Sequence, residues 1–215
     1  MKIGVIGANG NLGNKIVKQA IDRGYDVQAF VYQGNCLDAR VPQTDINLFD
    51  MTQEDVKDID VLISAFGGGF HNDPVINRQA FIKYRELLQN SPKKLIAIAG
   101  AGSLYTDVSH QQFEYESPHH PLKLKKISEY IRLGVDELKE EESFAWTVVC
   151  PSRQFDFNGP FTGQYIVGQK EEIIVNDDHE SYVTYEDLAK AMLDCVETIK
   201  YNHQVITIAT KTKEG

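Results

Sequence analysis

The chain has 215 residues, 42% of them apolar, and a net charge of −9, which suits one medium domain that buries roughly 70% of its unfolded surface. The acidic balance argues against nucleic acid as a partner, because gripping phosphates over a wide surface needs a basic face. No apolar run approaches the roughly 20 residues of a membrane span. Cys36, Cys150 and Cys195 lack C-x-x-C spacing, so reduced thiols in a cytoplasm are expected, with no disulfide framework and no metal site. A strand pattern that begins at residue 2 fits no signal peptide.

Lys2 to Ile6 reads as a short buried strand. Gly7-Ala8-Asn9-Gly10-Asn11-Leu12-Gly13 follows, with glycines spaced three and three. Asn11 to Arg23 then carries Leu12, Ile16, Val17, Ala20 and Ile21 on one face, a helix closed by Gly24. A strand, a glycine turn and a helix together form a phosphate-holding device. The first N–H groups of a helix lack partners, and its dipole places about half a positive charge there. A pyrophosphate satisfies both. Glycine lets the backbone turn sharply and the ligand come close. The turn therefore predicts a dinucleotide site.

Asp26 to Val31 is a second strand and residues 33–42 a loop. Thr44 to Leu48 reads as a brief third strand. Thr52, with Asp55 three residues on, resembles a capping box at a helix start. Val61 to Phe66 is a buried strand stopped by Gly67-Gly68-Gly69, and Phe70 closes that turn. Pro74 to Gln89 is a helix, Leu95 to Ala99 a strand ending in Gly100-Ala101-Gly102, and Leu122 to Glu141 a long charged helix. Trp146 to Cys150 is a sixth strand that Pro151 ends. Beyond it, Ser152 to Gly163 reads as a loop, Tyr165 to Val175 as one or two short strands, Thr184 to Thr198 as a capped helix, and Gln204 to Ala209 as a last strand.

Continuous apolar strands alternating with amphipathic helices predict an α/β fold, a Rossmann-like doubly wound parallel sheet covered on both faces. Residues 1–215 form one expected domain, with 1–150 as its core and 151–215 as a small C-terminal lobe on the substrate side. Ligands then lie beyond the carboxyl ends of the strands.

Several segments in order resemble the atypical short-chain dehydrogenase/reductase group, and in particular its NmrA-like, NAD(P)H-binding members called NADH-flavin reductases. Gly7 to Gly13 matches that group's G-A-[TN]-G-x-x-G. Val61 to Gly67 looks like its fourth strand, and Ala99 to Leu104 is similar to its G-G-A-G-S-L turn. Phe144-Ala145-Trp146-Thr147 with Pro151-Ser152 looks like its F-x-W-T…P-S. Thr162 to Tyr165, Ser181-Tyr182-Val183 and Glu186 to Ala189 match its C-terminal part. Two departures stand out. Tyr32 occupies the place where many relatives carry an arginine for the 2′-phosphate of NADP. No tyrosine here is followed four residues later by lysine, the acid and orienter pair of the wider superfamily.

The resemblance implies NADP or NAD as cofactor, the 2′ group being open. It also implies a planar small-molecule acceptor such as FMN, riboflavin or a quinone, and a monomer or homodimer. Cofactor contacts are expected from Gly7, Ala8, Asn9, Gly10, Asn11, Leu12 and Gly13, from Tyr32, Asn47 and Leu48, from Ala65, Phe66 and Gly67, and from Ala99, Gly100, Ala101 and Pro151. Ser103, Phe155 and Tyr165 are expected at the acceptor, and Ser103 and His120 are candidates for proton chemistry. The rival readings are a redox-sensing binding protein of NmrA type, favoured by the missing Tyr-x-x-x-Lys, and a sugar-nucleotide epimerase or dehydratase.

Overall fold

The computed structural model describes residues 1–68 and 73–212. Gly69 and Phe70 of the expected turn, and the last residues of the expected domain, 213–215, lie outside the described residues.

The sheet explains why the apolar runs are unbroken. Its strands are β1 (Lys2–Ile6), β2 (Asp26–Val31), β3 (Gln43–Asp45), β4 (Val61–Ser64), β5 (Lys94–Ile98), β6 (Ala145–Pro151), β8 (Tyr165–Gly168) and β10 (Gln204–Thr210), in the spatial order β3-β2-β1-β4-β5-β6-β10-β8. All neighbours are parallel except β8, which runs antiparallel to β10. The order reverses at β1, so the crevice beyond β1 and β4 is the natural ligand position. Alternate residues of each strand enter opposite cores. Ile3, Ile63 and Ile96 pack with helices α1 (Asn11–Asp22) and α4 (Tyr185–Glu197). Leu62, Leu95, Trp146 and Val148 pack with α2 (Ile76–Leu88) and α3 (Leu122–Lys139).

Helix α1 stops where Gly24 adopts φ +80°. Gly24 N donates to Ile21 O at 2.8 Å and Tyr25 N to Ala20 O at 3.1 Å, so the terminal carbonyls are satisfied by a Schellman turn. Helix α4 starts where the Thr184 hydroxyl accepts from Asp187 N at 3.0 Å.

Three expected elements differ. The third strand covers only Gln43–Asp45, because the Asn47 side chain accepts from Phe49 N at 3.0 Å and starts a 3₁₀ turn at Leu48. No regular helix follows Thr52. Its N–H and hydroxyl both donate to Asp55 Oδ2, at 2.7 and 2.8 Å, so the carboxylate closes a local turn and the hydroxyl caps nothing. The expected loop from Ser152 contains β7 (Gln154–Asp156), which pairs in parallel with β9 (Tyr182–Thr184) as a separate two-stranded sheet. Residues beyond 151 thus supply both this small sheet and two strands of the main one. Among the described residues no helix is long and apolar enough to cross a membrane.

Candidate functional site

The glycine turn leaves β1 with Gly7 at φ +71°, a left-handed conformation that a side chain would strain. Gly7 N and Ala8 N both donate to Phe30 O, at 3.0 and 3.2 Å, latching the turn to β2. A Cβ on Gly13 would collide with Gly7 O, so this glycine lets α1 press against the turn. Gly10 differs: its φ of −78° is ordinary, and a Cβ there would meet only Gly7 O, at 3.2 Å. Space is therefore left open above Gly10, at the start of a helix that no side chain caps. An uncapped N-terminus beside an open glycine fits a pyrophosphate.

Two cavities run from this turn along the carboxyl ends of the strands. The first, about 500 Å³, is bordered by Asn11 and Leu12, by Ala65, Phe66 and Gly67, and by Ala99. Its far wall comes from α2 and α3. Tyr84 is buried there, with its hydroxyl 2.7 Å from Ser64 Oγ, which also accepts from Phe66 N at 3.2 Å. Asn77 Oδ1 accepts from Gly68 N at 3.3 Å and so ties the end of β4 to α2. The second cavity, about 690 Å³, lies beyond Ala99. Gly100, Ala101 and Pro151 line it, with Glu114, His120, Ser128 and Arg153. Ala99, Leu124, Ile127, Ile131 and Phe155 border both cavities, which makes them one trough with an apolar waist.

The second cavity holds the charged groups. Glu114 is only 5% exposed, and it receives Arg153 Nε at 2.9 Å and Nη2 at 2.7 Å in a two-point pair. That pair raises the arginine's affinity for its proton, against a smaller opposing effect of burial. Nη1 has no partner among the described residues. Across the cavity, His120 Nε2 lies 3.1 Å from Ser128 Oγ. Burial lowers the His120 pKa, with the Glu114 charge opposing, and so favours the neutral ring. Phe155 stacks on Tyr185 with ring centres 3.7 Å apart, closing the side of the trough next to α1.

Other expected site residues stand apart from the trough. Ser103 is buried and donates its hydroxyl to Gly100 O at 2.8 Å; it caps its own turn. Beneath it, burial pushes the Cys150 thiol up to about 12. Tyr165 walls neither cavity. It lies on β8 at the sheet edge and donates to Asp194 Oδ2 at 2.6 Å, beside α4. Leu48 is buried in the core, and Asn47 is occupied in capping the 3₁₀ turn. Tyr32 is half exposed, and its carbonyl accepts from Asn9 Nδ2 at 3.2 Å. Sequence reasoning missed Glu114, Arg153, Asn77 and Tyr185. The first two come from loops whose pairing leaves no periodic trace.

The model of the NAD(P)H-binding family matches residues 7–198. This chain belongs to the NAD(P)H-binding family. Within it, the chain is 31% identical over 220 residues to the uncharacterized protein YwnB of Bacillus subtilis (strain 168), covering 99% of this chain and all of that one. Its fold is similar to a crystal structure from Streptococcus pneumoniae TIGR4, provisionally described as an NADH-flavin reductase, with TM-score 0.90 and 29% identity over 98% of this chain and all of that one. A protein of Bacillus halodurans, provisionally described as an NAD-dependent epimerase/dehydratase, shares the fold at TM-score 0.72 and 21% identity, over 98% of this chain and 94% of that one. The match to the NAD(P)H-binding family begins at Gly7, the residue whose positive φ opens the turn.

Proposed function

We propose that this protein is an NAD(P)H-dependent oxidoreductase that reduces a planar acceptor of flavin or quinone type by direct hydride transfer. One observation carries the reading: the cavity at the glycine turn and the cavity at Arg153 share a wall at Ala99, Ile131 and Phe155. A donor in one and an acceptor in the other would meet there, with water kept out by apolar side chains.

Bound nicotinamide would supply the hydride. The chain's own residues supply the rest. The N–H groups of Asn11, Leu12 and Gly13 face the pyrophosphate position. Phe66 and Ala99 flank the path between the cavities, and Phe155 offers a ring face at the waist. An acceptor that takes a hydride gains negative charge, and Arg153, fixed by Glu114, presents Nη1 to it. His120, across the same cavity, is placed to exchange a proton with it.

The test is NAD(P)H oxidation with FMN, riboflavin and a set of quinones. Turnover of at least one acceptor is expected. Nucleotide binding with no turnover would replace this reading by the redox-sensing one, which the missing Tyr-x-x-x-Lys favours. Sensing in turn requires unequal affinity for oxidised and reduced nucleotide.

A further inference from the structure

We propose that this chain selects NADH over NADPH and that the Asp45 carboxylate is the group that rejects the 2′-phosphate. The inference rests on the nucleotide reading above. In a nucleotide-binding sheet of this kind the adenosine ribose lies at the end of the second strand. A carboxylate there accepts from the 2′-hydroxyl, or a cation meets the 2′-phosphate. Here β2 runs into Tyr32, Gln33 and Gly34, which provide neither.

The carboxylate comes from the next strand. β3 pairs in parallel with β2, with Asp45 opposite Val31. Asp45 Oδ1 accepts from Gln33 N at 3.1 Å, which holds the carboxylate against the end of β2. Gln33 has φ 55°, so the chain turns sharply there. The same corner touches the glycine turn, because Asn9 Nδ2 donates to Tyr32 O at 3.2 Å. Asp45 Oδ2 has no partner among the described residues, and the residue is exposed. The residues that close the corner, Asn9, Tyr32, Gln33, Gly34 and Asp45, include no cation.

Arg40, in the loop between β2 and β3, pairs with Asp38. Its Nε and Nη2 lie 2.9 and 2.6 Å from the two oxygens of Asp38. That pair borders a separate hollow with Asn14, Lys18 and Cys36. A 2′-hydroxyl brings Asp45 a donor. A 2′-phosphate brings it about −1.5 to −2 charges. The carboxylate welcomes the first and repels the second.

The experiment is calorimetric titration of the full chain with NADH and with NADPH. NADH is expected to bind about tenfold more tightly at low ionic strength, and the ratio to shrink at about 0.5 M salt, as an exposed charge pair is screened. Asp45→Asn should bring the ratio close to unity while circular dichroism stays unchanged. Asp45→Asn with Gln33→Arg should invert it, and Arg40→Ala should leave it alone. Equal affinities in the unaltered protein, or an unchanged ratio in the folded Asp45→Asn variant, would overturn the inference and leave the nucleotide reading standing. Binding of neither nucleotide would overturn that reading and this inference with it.

Discussion

At the glycine turn the exposed surface is main chain: the start of a helix that no side chain caps, and a space above Gly10 cleared of side chains. At the far end of the trough the surface is made of side chains. Glu114 and Arg153 come from two loops, His120 from the approach to α3 and Ser128 from its second turn. A backbone site constrains residue type, since only glycine tolerates the turn and the close approach. A side-chain site constrains partnership, and many partners serve. The glycine turn therefore shows itself in residue type, and the far end of the trough only in which side chains meet.

Two glycines of one turn should respond in opposite ways. Gly13→Ala should lower stability by about 3 kcal/mol, because its methyl would fall on Gly7 O and Ala8 Cα, both main chain. Gly10→Ala should shift the urea midpoint little and still weaken NADH binding, since its methyl meets only Gly7 O and otherwise fills the space left for the ligand. If both variants lose stability alike, Gly10 serves the fold and not a ligand.

At the other end, Arg153→Gln should lower kcat/KM for the acceptor about a hundredfold while the NADH dissociation constant stays put. Equal loss in both would place Arg153 on the nucleotide. Away from the trough, Tyr165→Phe should cost about 1 kcal/mol and no activity. Asp194 keeps Lys190 and Arg23 as partners when the tyrosine hydroxyl is gone.

The smallest expected effect is a pH slope. Burial lowers the pKa of folded His120, so between that value and about 6.5 the unfolded chain binds the extra proton. Stability should therefore rise with pH through that window and level off above it. His120→Gln should flatten the rise in urea midpoints measured across the window.

What could be read from the residues follows the same division. Gly7, Gly10 and Gly13 announce themselves by spacing, and the apolar runs of β4 and β5 by length. Gln154-Phe155-Asp156 has no such run; it is a strand only because Tyr182-Val183-Thr184 lies beside it. Composition alone makes Tyr165 a wall for a planar ligand, but the pairing of β8 with β10 sets which edge it occupies. Asn47 reads as part of a strand, yet a short polar side chain next to its own backbone bonds locally first and ends the strand at Asp45. Glu114 and Arg153 lie 39 residues apart, and no pattern in either segment names the other.

The position of β10 between β6 and β8 has a bearing on assembly. Among the described residues β8 has no neighbour in the main sheet except β10, which is made some 36 residues later, from Gly168 to Gln204. Strands β1 to β6 can close on one another as they leave the ribosome. β8 must wait, its edge unpaired, until residues 204–210 emerge and slide in between. The sheet is thus finished out of order, and a pause in synthesis after β8 would expose the step at which this protein is most open to mispairing.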